Sequence, residues 1–156
     1  MWHIRTQDSR QMEKFLHSFA KHLLKNNGRA DIDLVIVSPD YAAEAQDALT
    51  LLKTRALARF SARNKLTRRI SATDPLMGYD VDLNDAGERA AFAKLAHRVI
   101  HAEAWEDEHQ LLCWVESDTS IYLDMDVEEL RRIISAAEVS GSTIEFEAAA
   151  TGKESQ

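Results

Sequence analysis

The sequence predicts a single α/β domain with an α+β tendency: one mixed sheet of about five to six strands covered by about four helices. Three observations carry this. Strand-like and helix-like patterns follow one another in the order β-α-β-α-β-α-β-β-α-β. Three helix starts carry capping-box pairs, Asp8/Gln11, Asp85/Glu88 and Asp126/Glu129. Finally, 156 residues with 45% hydrophobic content support one core and not two.

Trp2–Arg5 alternates apolar and polar residues and reads as a short strand. Behind the Asp8 cap, Met12, Phe15, Leu16, Phe19, Leu23 and Leu24 keep helical spacing until Gly28, which supplies a left-handed stop. Ile32–Val37 is nearly continuous and β-branched, the pattern of a central strand buried on both faces. These segments predict a β-α-β unit with parallel strands and a right-handed crossover. Ser38-Pro39 opens the next helix, with Pro39 at its first position, and the helix runs to about Phe60 or Leu66. Met77–Leu83 alternates strictly, with Asp80 and Asp82 on the wet face, and reads as an exposed edge strand.

The helix beginning after Asp85 includes Phe92, Leu95, Val99 and Ile100 on its apolar face and frays within Glu106-Asp107-Glu108. Leu111–Val115 and Ile121–Met125 form a hairpin across a polar loop. Leu130, Ile133, Ile134 and Ala137 line a short amphipathic helix that ends at Gly141, and Thr143–Phe146 is the last strand. The globular domain spans 1–148, and 149–156 is a flexible tail.

Motif chemistry is sparse. The five glycines include no pair at dinucleotide or P-loop spacing, so neither standard nucleotide motif is present. His97 and His101 lie four apart on the expected helix, a spacing that suits a metal. Lys94 and Arg98 share that face, however, and no third ligand is placed, so no metal and no cofactor is expected. Cys113, the single cysteine, lies in an apolar strand beside Glu116 and Asp118, a poor setting for a thiolate. Asp80, Asp82, Asp124 and Asp126 are candidate acid/base groups, but nothing in the spacing assembles them into a site.

Charge is partitioned instead. The chain carries 19 Lys+Arg and 26 Asp+Glu, a formal −7. Between Leu51 and Ala72 lie seven bases and no acid, including a stripe of Arg55, Arg59 and Arg63. From Glu103 to Glu129 there are ten acids and neither Lys nor Arg, with Trp105, Trp114 and Tyr122 among them. Arg59 and Arg63 continue the apolar line of Tyr41, Ala45, Leu52 and Ala56. The helix must therefore break near Ser61 or present arginines where it leaves the core.

The expectation is a non-catalytic, cytoplasmic protein-binding module, an acidic bacterial immunity or antitoxin-like inhibitor of a basic toxin or nuclease. Its partner-binding residues are Trp105, Glu106, Asp107, Glu108, Glu116 and Asp118, with Arg55, Arg59 and Arg63 as a secondary basic patch. Two alternatives are a small hydrolytic or metal-assisted enzyme using His97 and His101 with nearby carboxylates, and a subunit of a homo-oligomer. Direct nucleic-acid binding is disfavoured, because the chain outside the basic block is strongly acidic. No apolar run is long enough to cross a membrane.

Overall fold

The computed structural model describes residues 1–5, 8–35, 43–67, 74–115, 121–137 and 144–148. The elements are β1 (Trp2–Arg5), α1 (Ser9–Lys25), β2 (Arg29–Ile32), α2 (Ala43–Thr67), β3 (Tyr79–Asp80), α3 (Ala86–Leu95), β4 (His101–Glu106), β5 (His109–Val115), β6 (Ile121–Leu123), α4 (Val127–Ala137) and β7 (Glu145–Ala148). They form an α+β fold with one seven-stranded sheet in the order β3-β2-β4-β5-β6-β1-β7.

Every pairing is antiparallel. The expected mixed sheet is thus corrected to a wholly antiparallel one of seven strands. β1 and β2 do point the same way, but β4, β5 and β6 stand between them. The additional strand is β4, where a continuation of the third helix was expected. That helix ends at Leu95, and Arg98 donates its backbone N–H back to the Leu95 carbonyl in a tight turn. Val99, expected on the helix, is buried from this turn and accepts the Trp114 indole N–H at 2.8 Å.

The helices form a contiguous layer in the order α2-α3-α1-α4 against one face of the sheet. That face contributes small residues at Ala30, Ala102 and Ala104. The helices bring the large Phe15, Phe19 and Phe92, and all six belong to one buried cluster. Burying a large side chain of this kind contributes about 2 kcal/mol.

The expected caps hold α1, α3 and α4. Asp8 accepts the Arg10 N–H at 2.9 Å, Asp85 those of Gly87 and Glu88, and Asp126 those of Glu128 and Glu129. α1 stops through Asn27, whose φ of 56° is left-handed, and not through Gly28. Gly28 serves a close approach: a Cβ there would lie 2.9 Å from the Trp105 carbonyl oxygen and 2.8 Å from Leu23 Cδ2.

The expected central strand Ile32–Val37 is also corrected. β2 ends at Ile32 and lies next to the two-residue edge strand β3. The apolar run continues as extended chain, with Leu34 buried but Val35 exposed, and 36–37 lie outside the described residues. Asp33, whose carboxylate takes the Gly78 N–H at 2.7 Å, interrupts the apolar lining that a two-sided strand requires. β3 occupies the predicted edge, with Tyr79, Val81 and Leu83 buried and Asp80 and Asp82 exposed. The Ser38-Pro39 start, the Gly141 stop and the tail lie outside the described residues. Among the described residues no helix is long and apolar enough to cross a membrane.

Candidate functional site

Alternation puts every second strand residue on the face away from the helices. Across that face the registers align one row. Asp80 is opposite Asp31, Asp31 opposite Glu103, and Glu103 opposite Cys113. Cys113 is opposite Tyr122, Tyr122 opposite His3, and His3 opposite Glu147. Ionisable side chains therefore cross all seven strands without interruption. Alongside the row, Arg29 lies over the Trp105 indole, its guanidinium carbon 4.8 Å from the ring centroid.

The electrostatics of this face are unbalanced toward negative charge. Asp31 is pushed up to about 6 by burial first and then by Glu103, with Asp33 and Asp80 adding and His101 opposing. Like charges directly opposite on paired strands destabilise both. Glu103 receives the Gln110 amide at 2.8 Å, and His101 Nε2 lies 3.2 Å from the same oxygen. Among the described residues no Lys or Arg forms an ion pair with Asp31, Asp80 or Glu103. At the far side of the row His3 stacks on Tyr122, with centroids 4.9 Å apart and planes 5° off parallel.

The expected contact residues separate into different roles. Trp105 is half-buried on the open face. Glu106 is tied inward, accepting from Asn26 at 2.8 Å with His22 Nε2 at 2.9 Å, so it joins the sheet to the end of α1. Asp107 and Glu108 form the exposed two-residue tip between β4 and β5, with Asp107 at a left-handed φ of 51°. Glu116 and Asp118, also expected at the contact, lie outside the described residues.

Of the two expected outcomes for the arginine stripe, the second holds. α2 does not break at Ser61 but continues to Thr67, and past Ala56 none of its described side chains, through Ala62, is buried. Arg59 is answered from inside by Glu88, which is 1% exposed, at 2.7 Å. Glu88 also accepts from the Tyr79 hydroxyl and the Asp82 N–H, each at 2.9 Å. Arg59 donates further to the Asp80 carbonyl and lies over the Tyr79 ring. Burial, and then the bond to Glu88, drive the Tyr79 hydroxyl well above its ordinary range. Arg55 lies 3.5 Å from Asp85, while the Arg63 side chain lies outside what is described. Glu88 was legible only as the third-position acid of a capping box. The signal for its true role was the misplaced Arg59, which demanded a buried acid without naming it.

His97 and His101 do not share a helix face. His97 sits in the turn after α3 with Nε2 3.2 Å from Ser9 Oγ, whereas His101 opens β4 on the open face. Burial, and then Arg98, lower His97 to about 3. Cys113 belongs to the open face and not to the core side formed by Leu112 and Trp114. Burial and Glu103 raise its thiol, which argues against a nucleophile. Of the remaining acids, Asp126 caps α4, Asp124 pairs with His109 at 2.9 Å, and Asp82 accepts the Asn84 N–H.

No family model matches this chain, and neither the curated proteins nor the solved structures searched contain a match to it.

Proposed function

We propose that the chain is a non-catalytic binding module that docks a basic protein, in the manner of an acidic immunity or antitoxin-like inhibitor of a basic toxin or nuclease. The docking surface is the open face of the sheet together with the β4–β5 tip: Asp31, Asp80, Glu103, Trp105, Asp107 and Glu108. The observation that carries this reading is the register-aligned acidic row on a face that no described helix covers. Carboxylates set opposite one another weaken the free fold, and a cationic partner relieves that repulsion on binding. Trp105 supplies an aromatic anchor at the margin, where anchors of this kind govern dissociation while the acids govern encounter. The nucleic-acid alternative loses its main support, since Arg55 and Arg59 are already engaged by Asp85 and Glu88.

The test is affinity purification from the native cell with two baits, the natural chain and one carrying Asp80→Lys, Asp107→Lys and Glu108→Lys. The reading expects a basic protein recovered by the first bait only, with an association rate that falls steeply as salt rises. A partner bound equally by both baits, and indifferent to salt, would overturn it. Recovery of a second copy of this chain would instead support the oligomer.

A further inference from the structure

We infer that the open face carries a zinc-type metal site formed by His101, Glu103 and Cys113. The three come together because of strand geometry. His101 and Glu103 stand two apart on β4 and so share a face, and Cys113 is the direct cross-strand partner of Glu103 on β5. Their ligand atoms all lie within 4.8 Å of one another, and each of the three residues is partly buried. His101 Nε2 is 3.2 Å from Glu103 Oε1, so small side-chain movements suffice to bring nitrogen, oxygen and sulfur around one ion.

The donor set decides the class of metal. One imidazole, one carboxylate and one thiolate favour a borderline-soft ion such as Zn(II) over Mg(II) or Ca(II), which take oxygen ligands. On binding, the Cys113 thiol gives its proton to solvent and the sulfur bonds to the metal. Three protein ligands leave the fourth tetrahedral position facing solvent, the arrangement of an exchangeable site and not of a closed structural one. The Gln110 amide, 2.8 Å from Glu103 Oε1, orients the carboxylate from outside the ligand set. The expectation of no metal rested on placing His97 and His101 on one helix face beside Lys94 and Arg98. With His101 on β4, its neighbours are Glu103 and Cys113 instead.

The test uses the full chain with Co(II) and Zn(II) as probes and needs no partner, so its outcome is independent of the proposed docking function. Co(II) titration is expected to give one equivalent bound, with a thiolate-to-cobalt charge-transfer band, displaced by one equivalent of Zn(II). Cys113→Ser should abolish the band. His101→Ala should weaken Zn(II) binding at least about tenfold, since the loss of an outer-shell partner alone costs that much. His97→Ala and His109→Ala should leave both readouts unchanged. Circular dichroism of each metal-free variant checks folding, and should Cys113→Ser misfold, Glu103→Gln and the natural chain's own band carry the test. Absence of the band in the natural chain, or zinc binding that survives His101→Ala and Cys113→Ser undiminished, would overturn the site.

Discussion

Two carboxylate clusters lie close together in this fold and are treated in opposite ways. Glu88, between α2 and α3, is almost wholly buried and fully answered by Arg59, the Tyr79 hydroxyl and the Asp82 N–H. Asp31, on the neighbouring strand, faces Asp80 on one side and Glu103 on the other, and no Lys or Arg among the described residues pairs with it. The buried charge is surrounded by donors, whereas the row is left with like charges opposite one another. The proposed docking function assigns the first a structural role and the second a binding role, and single substitutions test that division.

The largest effect belongs to the answered cluster. Arg59→Ala leaves Glu88 buried without its cation and should lower stability by about 3 kcal/mol. Adding Glu88→Ala should cost less than the sum of the two single changes, because each removes the other's reason for being there. Strict additivity in urea unfolding would show that the pair is not coupled.

His97 supplies the reverse case, a largely buried basic group with no acid paired to it among the described residues. Its imidazole stays neutral in the folded chain, lowered to about 3 by burial and Arg98. The unfolded chain binds a proton there below about 6.5, so this contribution is present above that pH and is lost as pH falls through 6 toward 3. His97→Asn should therefore flatten the loss of stability between pH 7 and pH 5. An unchanged slope would contradict the assignment.

The acidic hairpin divides in the same way within three residues. Glu106→Ala, which releases Asn26 and His22, should destabilise by about 1 kcal/mol. Asp107→Asn with Glu108→Gln, at the exposed tip, should stay within about 0.5 kcal/mol, since asparagine also accepts a left-handed backbone. Equal losses from the two variants would mean that the tip is structural too.

The sequence showed the helices best, because apolar spacing and capping acids are local signals: α1 and α4 bury the residues that their periodicity marked, except Leu24, which is only partly buried. β4 was missed although His101-Ala102-Glu103-Ala104 alternates, a pattern that Trp105 then breaks where the register shifts. Its alanines and glutamate are helix formers, and Val99 and Ile100 happened to keep the phase of the preceding helix. That single substitution of helix for strand concealed the antiparallel order, and with it the alignment of Asp31, Glu103 and Cys113. Asp31 meets Glu103 by pairing between distant segments, which no local window joins, and Glu103 meets Cys113 only once β4 is recognised as the first arm of a hairpin. The excess of acids from Glu103 onward was visible, but not which of them the fold itself uses.

The central claim is that the fold does not need the acids of the open face. Urea unfolding of Asp31→Asn at pH 7 tests it most directly. The account predicts a higher midpoint with an unchanged slope, a gain of about 0.5 kcal/mol from relieving cross-strand repulsion. A lower midpoint, as expected when a structural contact is lost, would contradict it.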